Sequence, residues 1–267
     1  MNDPFQDVSS AGAEFIETFA QALETRAAEP IMIQLVEDYL DHLPWPDIDL
    51  AIEVGCGTGA VTRRMAARSE RTRILGFEPS PELLDHARGL AAGLGNQSFE
   101  TADGAKLPLE DGSVDAAIYH TVLSHVVDPG ALLAEAARVL RPGGRLIVCD
   151  ADFSKGSLAV AEGDPLQACA TFFARNFVTD PHLMGRLRSL VQDAGFVVDD
   201  FRVVSRTVTN ADGMLVWVRA CGTAMVERGI IGQDLADAMV DEYERRKQAG
   251  TLYGHLPFGT LIATAPN

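Results

Sequence analysis

Apolar residues recur along the chain with two alternating periods. From Ala13 the positions Phe15, Ile16, Phe19, Ala20 and Leu23 repeat at helical spacing, and Pro30 interrupts them. A second stripe, Ile31, Leu35, Tyr39 and Leu43, predicts another helix, which Pro44-Trp45-Pro46 ends because proline cannot continue the ladder. Residues 1–12 have no such period and read as a loose tail.

Short apolar runs then alternate with helical stretches. Strands are predicted over 50–54, 73–77, 98–101, 114–119 and 145–149, with a helix over 60–67 between the first two. Ser80-Pro81 and Asp128-Pro129 each read as a cap followed by proline in the first turn. The first of these helices turns Leu83, Leu84, Ala87, Leu90 and Leu94 inward, and the second runs to Leu140, where Arg141-Pro142-Gly143-Gly144 stops it. Strands alternating with helices imply βαβ units and a parallel sheet with right-handed crossovers.

Past Asp150 the regularity weakens. Helices are expected near 166–173, over 182–194 and through most of 212–249, the last with a turn near 229–232. A strand is expected over 196–208, bent at Asp199-Asp200, and a final one over 258–265. The expected organisation is a helical cap (1–45), an α/β core (46–152), a mixed segment with lid helices (153–250) and a last core strand (251–267). No internal repeat or low-complexity linker occurs.

Charge narrows the range of partners. The net charge is −16, and no run of Lys or Arg offsets it. Nucleic acid and anionic membrane both ask for a basic face, so neither partner is expected. The four cysteines form no close pair, and metal or redox motifs have no support. The opening MNDPFQDVSS has no basic n-region or apolar h-region, and no apolar run nears the ~20 residues of a membrane span, so the expectation is a cytoplasmic, thiol-reduced chain.

The candidate chemistry sits at Ala51-Ile52-Glu53-Val54-Gly55-Cys56-Gly57-Thr58-Gly59. Glycines at alternate positions after a strand let the backbone turn sharply beside a ligand, and the next helix brings free N–H groups to the same crevice. Such crevices lie at the carboxyl ends of parallel strands. The spacing is G-x-G-x-G, and an acidic residue two places before the first glycine suits a ligand with an ammonium group better than a pyrophosphate.

This run resembles motif I of class I S-adenosylmethionine (SAM)-dependent methyltransferases, small-molecule type (type 11-like). The resemblance implies a Rossmann-like, doubly wound, mostly parallel seven-stranded sheet with an N-terminal helical cap and a helical lid. Under it, Glu53 lies near the methionyl amine, with Gly55, Cys56, Gly57 and Gly59 as the cradle. Gly76-Phe77-Glu78-Pro79-Ser80 places Glu78 and Pro79 at the ribose, since two acceptor oxygens meet two neighbouring hydroxyls. Asp103 and Gly104 match the adenine position, and His120, at the head of HTVLSHVVD, falls beside the methionine part. The matches cover roughly 48–150 in order.

The acceptor side is less determined. His125, His255, His120 and Asp150 are candidate bases, each weighed against a packed, surface or capping role. Phe153, Phe172, Phe173, Phe177 and Trp217 are core residues or the roof of a substrate pocket. The expected activity is methyl transfer from SAM, leaving S-adenosylhomocysteine (SAH), to O, N or C of a small molecule, by a monomer or homodimer. Non-methylating SAM chemistry (cyclisation or decarboxylation), an NAD-dependent oxidoreductase and a non-catalytic SAM-binding subunit are the alternatives.

Overall fold

The computed structural model describes residues 3–6, 8–91, 93, 95–209 and 212–266, with the side chains of 10 and 11 left aside. Leu94, expected on an inward helix face, lies outside the described residues. The elements in order are α1 (Ala13–Ala27), α2 (Pro30–Leu40), β1 (Leu50–Val54), α3 (Ala60–Arg68), β2 (Arg73–Glu78), α4 (Pro81–Leu90) and β3 (Gln97–Thr101). There follow β4 (Val114–His120), α5 (Pro129–Val139), β5 (Leu140–Ala151), α6 (Pro165–Asn176), α7 (Leu183–Asp193), β6 (Val197–Val208), α8 (Leu215–Glu227), α9 (Gln233–Gln248) and β7 (Gly254–Thr264).

The seven strands form one sheet in the order β3-β2-β1-β4-β5-β7-β6. Pairing is parallel from β3 to β5, and β7 runs antiparallel between β5 and β6. This is the α/β Rossmann-like sheet that the strand–helix alternation predicts. Central strands are covered on both faces and so read as continuous apolar runs. All five residues of β1 are buried, and Ile118 and Tyr119 on β4 go to separate cores by the period of two. One core holds Tyr39, Met65 and Ile147 with the α6–α8–α9 layer; the other holds Ile52, Phe77 and Leu133 with α5 and α7.

Two cap-plus-proline starts form as the side chains require: Ser80 Oγ accepts from Leu83 N at 3.3 Å and Asp128 Oδ1 from Ala131 N at 3.0 Å. Asp115 Oδ2 accepts from the Asp49 and Leu50 amides at 2.7 and 2.8 Å and so fixes the entry to β1. A bulge between Val198 and Asp200 bends β6 at the expected acidic pair. Among the described residues no helix is long and apolar enough to cross a membrane. All four cysteines are buried and free.

Three expectations change. The Arg-Pro-Gly-Gly turn after α5 does not separate helix from strand: Leu140 already pairs with Val114, and β5 absorbs the turn through a register shift. The last strand begins at Gly254, because its first residues pair with the end of β6. The segment before Ala13 is not loose. Asp3 is buried and accepts from Thr179 N and Thr179 Oγ1, both at 2.9 Å, and Phe5 stacks 4.8 Å from Phe19. A short 3-10 turn, Val8–Ala11, follows. A polar segment with two acids and one aromatic has no period, so its anchoring is invisible in the sequence pattern.

The helical layer is tied at a buried ion pair. Asp164 caps α6 through Leu166 N at 3.0 Å and holds Arg246 of α9 at 2.6 Å. Arg246 also meets Glu242 at 2.7 Å, but removing Asp164 strips its buried partner and the helix cap together, and breaking a buried pair costs ~3–5 kcal/mol. Asp164→Ala is therefore expected to lower the unfolding free energy in urea titration by about that much.

Candidate functional site

The carboxyl ends of β1, β2 and β4 open onto a cavity of about 1050 Å³. Pockets for one drug-sized molecule run ~300–1,000 Å³, so this one has room for two small molecules. Glu53, Gly55, Cys56, Gly57, Glu78, Pro79, Asp103, His120 and His125 all stand on its wall.

The glycine loop shapes one end. Gly55 has φ +71, and a Cβ there would stand 2.6 Å from Val122 Cγ2. A side chain would therefore fill the approach and strain the turn. The Gly55 and Cys56 amides both donate to Phe77 O at 2.7 and 3.0 Å, and the Gly57 amide donates to Glu78 Oε2 at 3.0 Å. Ser80 N donates to the other oxygen of Glu78 at 3.1 Å. Glu78 is thus oriented by backbone, with lone pairs left over on both oxygens. Burial raises its pKa against those two amides.

Glu53 is buried at the end of β1 and accepts from Thr62 Oγ1. Among the described residues no cation lies within ion-pair distance of it. Burial pushes its pKa up to about 8; the hydrogen bonds from Thr62 and the charge of Arg63 oppose the rise, and Glu78 adds to it. Asp103 is exposed; its Oδ1 accepts from Ala105 N at 2.9 Å, so it builds its own turn while facing the cavity. His120 Nδ1 lies 3.1 Å from Tyr39 Oη. Burial, and then the charge of Arg26, lower its pKa to about 3, so it is neutral.

The other end is aromatic. Trp217 stacks on Phe173 at 4.3 Å and 11°, and Phe153 lies 6.0 Å from Trp217. His125 stands edge-on to Phe5 at 4.9 Å and to Phe153 at 5.6 Å. Its Nδ1 is 2.8 Å from Asp3 Oδ2. The ring is clamped by two aromatics and oriented by a carboxylate, which leaves Nε2 as the free acceptor nitrogen.

Four sequence-predicted residues lie behind the wall. A Cβ on Gly59 would meet Phe99 at 2.7 Å and one on Gly104 would meet Val54 at 2.7 Å, so both are packing positions. Asp150 is fully buried and accepts from Ser124 N at 3.0 Å, Ser124 Oγ at 2.7 Å and Ala151 N at 2.8 Å. It is a positioning group for the Leu123–His125 turn, and burial raises its pKa. His255 is displaced by strand period: Leu256 and Phe258 line the cavity, so the intervening positions face away. Its backbone bridges Ser157 in both directions at 2.8 Å.

Three wall residues had not been singled out. Arg26 and Arg206 come from α1 and β6, and Thr121, just after β4, is the one described non-glycine residue with positive φ, at 57°. Asp3, which orients His125, had also been passed over. Each depends on contacts across the chain, with no local spacing to mark it. Among the described residues no group of three or more metal-ligating side chains occurs.

Comparison with known proteins agrees with this geometry. Residues 52–148 match the model of the methyltransferase domain family. A 37.1 kDa protein encoded in a transposon of Streptomyces fradiae is 32% identical over 195 residues, covering 73% of this chain and 54% of the relative. A methyltransferase of Schizosaccharomyces pombe is 31% identical over 175 residues, covering 61% and 62%. The chain thus spans between half and two thirds of the length of these relatives. The crystal structure of the [4+2]-cyclase SpnF superposes with TM-score 0.56 at 23% identity, covering 87% of this chain and 80% of that one. That likeness is one of fold.

Glu53 generates a test that needs no ligand. Its folded pKa of about 8 stands above its ordinary 4.5. The stability it contributes is full below the ordinary value and is lost as pH rises through the folded one. Glu53→Gln, which cannot ionise, is expected to melt at increasingly higher temperature than the parent as pH goes from about 5 to about 8. Thermal melts across that range check the difference.

Proposed function

We propose, from the premise that residues 52–148 form a class I SAM-dependent methyltransferase domain, that the chain transfers the methyl group of SAM to a small molecule held in the aromatic half of the cavity. The observation that carries this reading is the set of three carboxylates at the ends of successive strands on one wall, one of them buried without a cation.

The residues fit the cofactor part by part. An ammonium group beside Glu53 supplies the charge its site lacks. Glu78 offers one oxygen to each of two neighbouring ribose hydroxyls. The Gly55 loop leaves open a place that a Cβ would fill. Asp103 stands at the rim for the base. His120 stays neutral and adds no charge near a cation. Bound there, SAM supplies a methyl group already activated on a sulfonium.

The chain then has to hold the acceptor in line and keep water out. Positioning of this kind supplies up to ~7–11 kcal/mol of the barrier. His125 is the base for an acceptor that must lose a proton: Asp3 holds Nδ1–H and Nε2 takes the proton, worth about 10²–10⁴ in rate. Phe5, Phe153 and Phe173 exclude water around it. With α1, α2, α6 and α8 lining the cavity, the helices act as its lid.

Calorimetric titration with SAH tests the cofactor half. Binding is expected in the parent and weakened about tenfold or more in Glu78→Ala. At pH ~7 the ammonium displaces the proton of Glu53, so the enthalpy should vary with buffer ionisation, and this dependence should vanish in Glu53→Gln. NAD should give no signal. Mass spectrometry of candidate acceptors with SAM tests the chemistry: gain of one methylene supports the reading, and an isomerised product with SAM unspent overturns it. With a hydroxyl acceptor, His125→Gln should lower kcat by about 10²-fold or more. Asp3→Asn, which no longer fixes the ring of His125, should lower kcat while leaving SAH affinity unchanged.

A further inference from the structure

Three cations stand on the cavity wall among the described residues: Arg26, Arg64 and Arg206. Two are matched. Arg64 pairs with Glu37 at 3.1 Å, and Arg206 is held by both oxygens of Glu29, at 2.6 and 2.5 Å. Among the described residues Arg26 has no carboxylate within ion-pair distance, and the one hydrogen bond of its guanidinium runs from Nη2 to Thr121 Oγ1 at 3.0 Å. One of five guanidinium donors is thus used, in a place where an unpaired charge is costly.

Thr121 shows that the place is built. It is β-branched, yet it sits at φ 57°, a region such residues avoid. Its amide donates to Cys149 O at 2.7 Å, and its hydroxyl donates to His120 O at 2.7 Å. The hydroxyl proton is therefore directed away, and the lone pairs face Arg26. Burial and then the charge of Arg206 draw the Arg26 pKa down to about 10, with Asp150, Glu29 and Cys149 opposing. Those neighbours belong to β5, β6 and the start of α2, and His120 at the end of β4 feels the charge of Arg26 in turn.

We propose that Arg26, braced by Thr121, is an anion subsite for the methyl acceptor, and that the acceptor is an apolar or aromatic molecule carrying a carboxylate. This rests on the methyl-transfer reading above and adds the substrate class. The planar fork of Arg26 matches two carboxylate oxygens, and Trp217, Phe173 and Phe153 receive the apolar body. The need is local: a chain of net charge −16 repels anions in bulk, so a cation inside a desolvated cleft is what makes an anionic acceptor bind.

The test titrates the SAH-saturated protein with 4-hydroxycinnamate and with its amide, following tryptophan fluorescence, since Trp217 lines the cavity. The acid is expected to bind at least about tenfold tighter than the amide. Arg26→Gln should abolish that preference, Arg26→Lys should keep part of it, and SAH affinity should stay within about twofold in both. Equal or absent responses to acid and amide in the SAH-bound parent overturn the proposal. So does the alternative assignment, in which Arg26 holds the cofactor's own carboxylate. Then Arg26→Gln would weaken SAH about tenfold and leave 5′-methylthioadenosine, which lacks that carboxylate, unchanged. Failure of the parent to bind SAH at all would instead remove the methyl-transfer reading.

Discussion

A carboxylate buried at the end of β1, facing the Thr62 hydroxyl and, among the described residues, no cation within ion-pair distance, constrains the rest of this molecule. Ionised and desolvated, Glu53 would be among the most costly groups in the fold, and burial accordingly holds it in the protonated form near neutrality. The surroundings are arranged to tolerate that state. Thr62 supplies a donor from α3, and at Gly55 the chain turns with positive φ at a place where a Cβ would meet Val122. Glu78, one strand over, meets the same problem with two backbone amides. A protein gains nothing in stability from two such acids side by side. Their placement makes sense as a site that a positively charged, hydroxyl-bearing ligand completes.

How much of this could be read along the chain follows from how each feature is specified. The glycine loop, Glu53 and Glu78 belong to strand ends and tight turns, where a few adjacent residues determine the geometry, and the cavity does bring them together. The parallel sheet was legible because buried strands show as apolar runs and the intervening helices announce their starts with a cap and a proline. His255 fails for a reason equally local but finer: a shift of one residue on a strand changes the face, and the earlier start of β7 sets which face that is. Asp3, Arg26 and Arg206 could not be found at all by spacing. Asp3 meets His125 from 122 residues away, and Arg26 meets Thr121 across 95.

The same distinction separates the two halves of the cavity. The cofactor half is made by strand ends of a single sheet and changes little unless the sheet changes. The acceptor half is assembled from the N-terminal segment, β6, α6 and α8, which meet only in the folded chain. Likeness to a cyclase is one of fold, and fold does not fix the chemistry.

Charge in the acceptor half is arranged with the same economy as in the cofactor half. Arg206 is matched by Glu29, and Asp150 spends its oxygens on the Leu123–His125 turn. Two groups stand out as unspent: the Nε2 face of His125 and the guanidinium of Arg26. One can take a proton and the other can hold a negative charge, and both border the apolar space in front of Trp217. Water reaching that space would weaken any ion pair made there, and under the proposed reading the aromatic clamp and the anchored N-terminal segment would keep it out. Asp3 joins these roles: by fixing residues 3–6 against Thr179 it places Phe5 over the ring whose tautomer it also sets.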